Sequence, residues 1–307
     1  MKNMLTTGLV IIGFVIAISL IGAYFISYNS ASIGNGNKIA VINLDGPIQM
    51  SPEGSSFISG EGTTSGEFIS QINRAVEDNS VKAIVIDVNS PGGSVVASEE
   101  MSSAVKKAKN KKPVVAWLGE IAASGGYFVA SASNYIVADP ATITGSIGVI
   151  SIFPEYSKLF KKIGLNMTVI KAGKYKDFST GFRPFTGEER AMMQRIVNET
   201  YNLFIKDVSQ NRNLSESYVR SIAGGRVYSG TDAVKLRLAD KTGSFEYAVK
   251  KAAELGGIKG KPQIVTYRKK PGLLRDILGS SFENFGYGFA KGMIGTGIFM
   301  TEGKLKF

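Results

Sequence analysis

Histidine and cysteine are both absent from this chain of 307 residues, and tryptophan occurs once. Without histidine there can be no Ser-His-Asp triad, and without cysteine no thiolate nucleophile and no disulfide framework. Zinc loses both of its preferred ligand types, so neither a metal site nor a bound cofactor is expected. The missing cysteine does not by itself fix the compartment. Acidic residues are also scarce, 25 against 36 Lys and Arg, for a net charge of +11. Nine basic residues and three acidic ones fall between Lys259 and Phe307, so that tail carries six of the eleven net charges. A basic, Gly- and Phe-rich tail suits anionic lipid headgroups. No zinc finger or RNA-binding signature supports nucleic acid as a partner.

What is present begins with an apolar run. Residues 4–26 carry no charge, and as a helix they would be about 34 Å long, enough to cross ~30 Å of hydrocarbon. Tyr24 and Tyr28 stand where interfacial aromatics belong. The competing reading is a cleaved signal peptide, for which Ser30-Ala31-Ser32 is the one small-residue cleavage candidate. An uncleaved anchor is favoured. Lys2 alone precedes the span, which puts the N-terminus in the cytoplasm and the rest of the chain on the extracytoplasmic side of the cell membrane. The expected organisation is an anchor (1–26), a polar linker (27–37), one globular domain (38–271) and a basic, apolar tail (272–307).

Within the domain, 38–44 and 81–88 are β-branched apolar runs typical of strands covered on both faces. Further strands are predicted at 113–118, 135–138, 148–152, 167–171 and 263–267. Helices are predicted at 66–79, after Ser94 to near Lys109, briefly to Ala132, over 156–163, and over 246–255. Thr186-Gly187-Glu188-Glu189 is a capping box that opens a long helix. Strands alternating with helices imply a layered α/β domain.

Two glycine pairs lie at strand-to-helix turns. Ser90-Pro91-Gly92-Gly93-Ser94-Val95 follows the buried run at 81–88, where glycine lets backbone N–H groups approach an anion or a developing oxyanion. For the motif alone a tight turn with a helix cap is the favoured account, and no Gly-Lys-Ser/Thr follows to make it a phosphate loop. Ala122-Ala123-Ser124-Gly125-Gly126-Tyr127 presents a serine among small residues, which could also be a plain N-cap. Gly173-Lys174-Tyr175-Lys176-Asp177 alone would be a solvated basic loop. With histidine absent, a desolvated lysine is the best activator left for a serine hydroxyl.

In order along the chain, SPGGSV, ASGGY, TGSIGV and GKYKD resemble the signal peptide peptidase A family, also called protease IV. The resemblance covers about 38–257. It implies a Clp protease- and crotonase-like layered ββα fold behind an N-terminal transmembrane helix, and a membrane-anchored serine endopeptidase with a Ser-Lys dyad. By that resemblance Ser124 is the nucleophile and Lys176 the general base, with Lys174 as the nearby rival. Ser146 orients the lysine amine, and Gly93 and Gly125 supply the backbone N–H groups of the oxyanion hole. The family further implies a ring or dome of identical protomers, with serine and lysine drawn from one chain or from neighbours. Its substrates are remnant signal peptides and other unstructured apolar peptides at the membrane. The segment Lys235 to Asp240 departs from the family's Gly-Leu-Val-Asp, which bears on local packing only. Rival readings are a Clp-class peptidase specific for one partner such as a stomatin-like protein, a crotonase-type acyl-thioester binder, and a catalytically silent scaffold.

Overall fold

Most helix and strand identities follow the periodicities above, and their order is set by one mostly parallel sheet. The computed structural model describes residues 37–51 and 62–267, besides the single residue Ser19. The apolar run at 4–26, Ser19 apart, and the tail at 272–307 lie outside the described residues. Among the described residues, no helix is long and apolar enough to cross a membrane. The strands are β1 (Lys38–Asp45), β2 (Ile48–Gln49), β3 (Thr63–Thr64), β4 (Val81–Ser90), β5 (Val114–Ala123), β6 (Tyr135–Ala138), β7 (Ile143–Gly145), β8 (Val227–Ser229), β9 (Lys241–Thr242) and β10 (Gln263–Thr266). The helices are α1 (Ser65–Glu77), α2 (Val95–Lys109), α3 (Gly125–Ser131), α4 (Ser157–Lys162), α5 (Gly187–Arg212), α6 (Glu216–Ile222), α7 (Gly230–Lys235) and α8 (Phe245–Leu255).

The main sheet runs β10-β1-β4-β5-β6-β9, with β7 parallel to β5 and β8 antiparallel to β7. Alternate residues point to opposite faces of a strand. Ile39, Val41, Ala83, Val85, Val115 and Val137 meet Ala248, Ala252 and Ala253 of α8. The intervening Ile42, Leu44, Ile84, Ile86, Ala116 and Leu118 are fully buried as well, on the side where α1, α2 and α3 pack. Both faces are covered, which is why these strands are apolar throughout.

β5 forks. Val115–Leu118 pairs with β6, while Ile121–Ala123 pairs with β7. The sheet therefore opens at the C-terminal ends of β4, β5 and β7, the end at which parallel α/β sheets bind ligands. At the departure from Gly-Leu-Val-Asp, Arg237 takes φ 61° in place of the glycine, Leu238 is buried, and Asp240 accepts from Arg212 at 2.7 Å and from the Ile136 N–H at 2.7 Å.

Two predicted strands are absent. Residues 148–152 and 167–171 are irregular, and Ile150, Ile152 and Ile170 are 81%, 77% and 97% exposed. Their β-branched composition suits a strand, but a strand also needs a partner edge, and the chain offers them none here. Together with α4 they form an arm in which no residue from 150 to 176 is buried.

Candidate active site

The opening at the strand ends brings separate segments together. β4 ends at Ser90, whose hydroxyl donates to the Gly46 carbonyl at 2.6 Å and accepts from the Gly92 N–H at 3.2 Å. This bends the chain so that Gly92 sits at φ 99° against the start of α3. A Cβ on Gly92 would lie 2.6 Å from the Gly125 nitrogen and 2.9 Å from the Ser124 Cβ. One built on Gly93 would stand 2.2 Å from the Ile48 carbonyl oxygen. Glycine is thus required by close approach at both positions. Among the described residues, neither the Gly93 nor the Gly125 N–H has a hydrogen-bond partner.

β5 and β7 are paired up to Ala123 and Gly145, so the next residue of each, Ser124 and Ser146, leaves the sheet beside the other. Ser124 has φ 51° and ψ −119°, angles that glycine favours at the first corner of a tight turn. Its N–H donates to the Gly145 carbonyl at 2.9 Å. It stands at the N-cap position of α3 but makes no capping hydrogen bond, so the plain N-cap reading fails, and among the described residues the hydroxyl has no hydrogen-bond partner. Ser146, at φ 50°, donates its N–H to the Arg226 carbonyl at 2.7 Å. Two adjacent non-glycine residues in positive-φ conformations are a strained arrangement of the kind that clusters at functional sites.

Gly93, Ser124, Gly125 and Ser146 line one cavity of about 1020 Å³. Its other wall is mixed, with Val95 of α2, Phe128 of α3, and Val197, Leu203 and Phe204 of α5 set among polar and charged side chains such as Glu99, Lys106, Gln194, Asn198 and Asp207. An apolar helix face has the same spacing whether it meets a core or a cavity, so the spacing along α5 does not by itself separate the two.

Lys176 does not line this cavity. It lies exposed in a run of turns over 174–179 at the end of the arm. The neighbouring lysines are engaged. Lys171 Nζ donates to Asp177 at 2.5 Å and Lys174 Nζ to Glu188 at 2.6 Å. Hydrogen bonding to Glu188, then to Tyr175, pushes the Lys174 ammonium above the usual lysine range, which disfavours it as a base. The Lys176 N–H donates to the Gly173 carbonyl at 3.2 Å, and its side chain makes no hydrogen bond or ion pair among the described residues.

Sequence reasoning missed the charged cluster beside Lys176. Arg183 donates to Asp177 from Nε at 3.0 Å and Nη2 at 2.7 Å, and to Glu189 from Nη1 at 2.8 Å and Nη2 at 2.6 Å. Bonding to Arg183 and then Lys171 holds the Asp177 carboxyl well below its ordinary range. Bonding to Arg183 and the Thr186 N–H lowers Glu189 to about 2. Six-residue spacings through a loop follow no helix or strand period, so only the capping box hinted at the cluster.

Comparison with known proteins matches residues 106–259 to the model of Peptidase family S49. An assigned protease of Methanocaldococcus jannaschii is 40% identical over 291 residues, covering 93% of this chain and 92% of that one. Protease 4 of Haemophilus influenzae is 40% identical over 224 residues, 71% of this chain but 35% of the longer protein. Among solved structures, a serine-to-alanine mutant of the 1510-N membrane-bound stomatin-specific protease superposes with a TM-score of 0.50 at 17% identity. It covers 76% of this chain and 99% of that one, a likeness of fold alone.

Proposed function

The chain belongs to Peptidase family S49, that of signal peptide peptidase A and protease 4, and on that premise we propose that this peptidase is a membrane-anchored serine endopeptidase with Ser124 as nucleophile and Lys176 as general base. The observation that carries the reading is Ser124 itself. Among the described residues its hydroxyl has no hydrogen-bond partner, its backbone is held at φ 51°, and it shares a cavity with Gly93 and Gly125, whose N–H groups are likewise unpaired there.

In the proposed reaction, Ser124 Oγ bonds to a peptide carbonyl carbon as its proton passes to the neutral lysine amine. The carbonyl oxygen becomes an oxyanion and accepts from the Gly93 and Gly125 N–H groups, an interaction worth about 3–4 kcal/mol per donor in comparable sites. The C–N bond then breaks, and the departing nitrogen takes the proton from the lysine ammonium. Water deprotonated by the same amine releases the acyl group. Ser146 accepts from the amine and orients it.

A lysine left in water is neutral in only about one molecule in 2,500 at pH 7. The exposed position of Lys176 therefore requires another surface to strip its water. We assign that role to a second copy of the chain, in a ring or dome anchored through residues 4–26. The exposed Ile150, Ile152 and Ile170 of the lysine-bearing arm support such a covering. The apolar side chains within that mixed wall, Val95, Phe128, Val197, Leu203 and Phe204, suit the side chains of unstructured apolar peptides, remnant signal peptides foremost, on the extracytoplasmic face. Hydrolysis of a signal-sequence peptide by the wild-type protein should fall to background in Ser124→Ala and in Lys176→Ala. Full activity in either variant removes the dyad.

A further inference from the structure

The proposed base stands on an arm whose apolar residues are exposed, yet the turn carrying it is tied down from both sides. On one side, Tyr175 OH and Lys174 Nζ both reach the Glu188 carboxylate. On the other, Asp177 is bridged through the Arg183 guanidinium to Glu189. Glu188 and Glu189 belong to the first turn of α5, and the Glu189 carboxylate is fixed again by the Thr186 N–H at 2.9 Å. The Asp177 and Glu189 side chains are 8% and 2% exposed, the Arg183 side chain 31%. One guanidinium thus satisfies two nearly buried carboxylates with a planar fork that an ammonium cannot reproduce.

The helix at the other end of this connection is a 26-residue element. Val197, Tyr201, Leu203 and Phe204, on that same helix, wall the cavity that holds Ser124. From Glu189 to Phe204 is about 22 Å of continuous helix. A turn anchored at one end and a substrate wall at the other therefore move as one body. The clamp fixes the lysine turn to the body of its own chain, whichever chain supplies the serine.

We infer that Arg183 is a positioning residue, which clamps Asp177 to Glu189 and so holds the Lys176 turn in register with the cavity wall. The inference rests on the reading of Lys176 as the base. A displaced base leaves peptide binding intact but breaks the alignment of the proton-transfer step, where a misplacement of 1 Å costs about a hundredfold.

The test uses the full-length protein in detergent with an internally quenched apolar peptide, and compares Arg183→Ala, Arg183→Lys and Lys176→Ala. Arg183→Ala should lower kcat by about tenfold to a hundredfold, with KM within about twofold. Added guanidinium should restore part of that kcat in Arg183→Ala and none in Lys176→Ala. Arg183→Lys keeps a cation between the two carboxylates, so it folds even where the alanine variant fails, and it should still lose kcat at constant KM. Wild-type kcat in Arg183→Lys, or a loss carried wholly by KM, overturns the positioning role. An active Lys176→Ala would instead remove the dyad itself, whatever the Arg183 variants do.

Discussion

At Gly92 a single methyl group would be decisive. The backbone there is at φ 99°, and a Cβ would press to 2.6 Å on the nitrogen of Gly125, one of the two proposed oxyanion donors. Both contact partners are backbone or first-atom side chain, so neither can swing away. Gly92→Ala should therefore displace the donor and lower kcat by about a hundredfold or more, the usual effect of losing one such hydrogen bond. Circular dichroism should show the fold retained, and kcat near wild type would exclude a donor role for Gly125. Ser124 is the complementary case, a residue with a side chain in angles that glycine prefers. That strain was invisible in Ala-Ser-Gly-Gly, which is compatible with a relaxed helix cap. The choice between Lys174 and Lys176 also belongs to this scale. Spacing left both open, and the ion pair from Lys174 to Glu188 leaves Lys176 as the amine of the two that is unpaired among the described residues.

Among the elements, the arm is held by aromatic contacts, Phe153 with Phe178 and Phe185 and Phe160 with Phe182, and by the Asp177–Arg183–Glu189 cluster. The cluster gives the arm a defined acid sensitivity. The Glu189 carboxyl is lowered from 4.5 to about 2, so its contribution to stability is complete above pH 4.5 and is lost as pH falls toward about 2. Asp177 shifts in the same direction, so it too contributes above its ordinary range and weakens only in stronger acid. Pepsin digestion should accordingly cut within 150–183 faster at pH 2 than at pH 4, after correction by an unstructured control peptide. Equal rates would mean that the cluster does not hold the arm. The strands expected at 148–152 and 167–171 failed at this scale too. Composition reports whether a segment suits a pleated surface, whereas pairing depends on an edge being within reach.

For the whole molecule, the separation of Lys176 from the Ser124 cavity carries the sharpest consequence. If two chains share each site, Ser124→Ala and Lys176→Ala are both inactive alone, yet a mixed assembly contains sites with an intact serine from one chain and an intact lysine from the other. Co-expressing the two variants should restore measurable peptide cleavage, and strict inactivity of a verified mixed assembly would place both groups in one chain. The sequence by itself narrowed the available chemistry, because absent histidine and cysteine exclude a Ser-His-Asp triad and a thiolate nucleophile. It also determined most elements of the sheet, because burial on both faces writes continuous apolar runs into β1, β4 and β5 and a capping box marks the start of α5. Only the tertiary structure decided that the turns after β4, β5 and β7 converge on one cavity, since pairing of Ala123 with Gly145 joins positions far apart in the chain. It alone decided that Lys176 stands outside that cavity and that Arg183 joins Asp177 to Glu189. Periodicity encodes which face a side chain takes within its own element, while contacts between elements depend on the path of the chain through space.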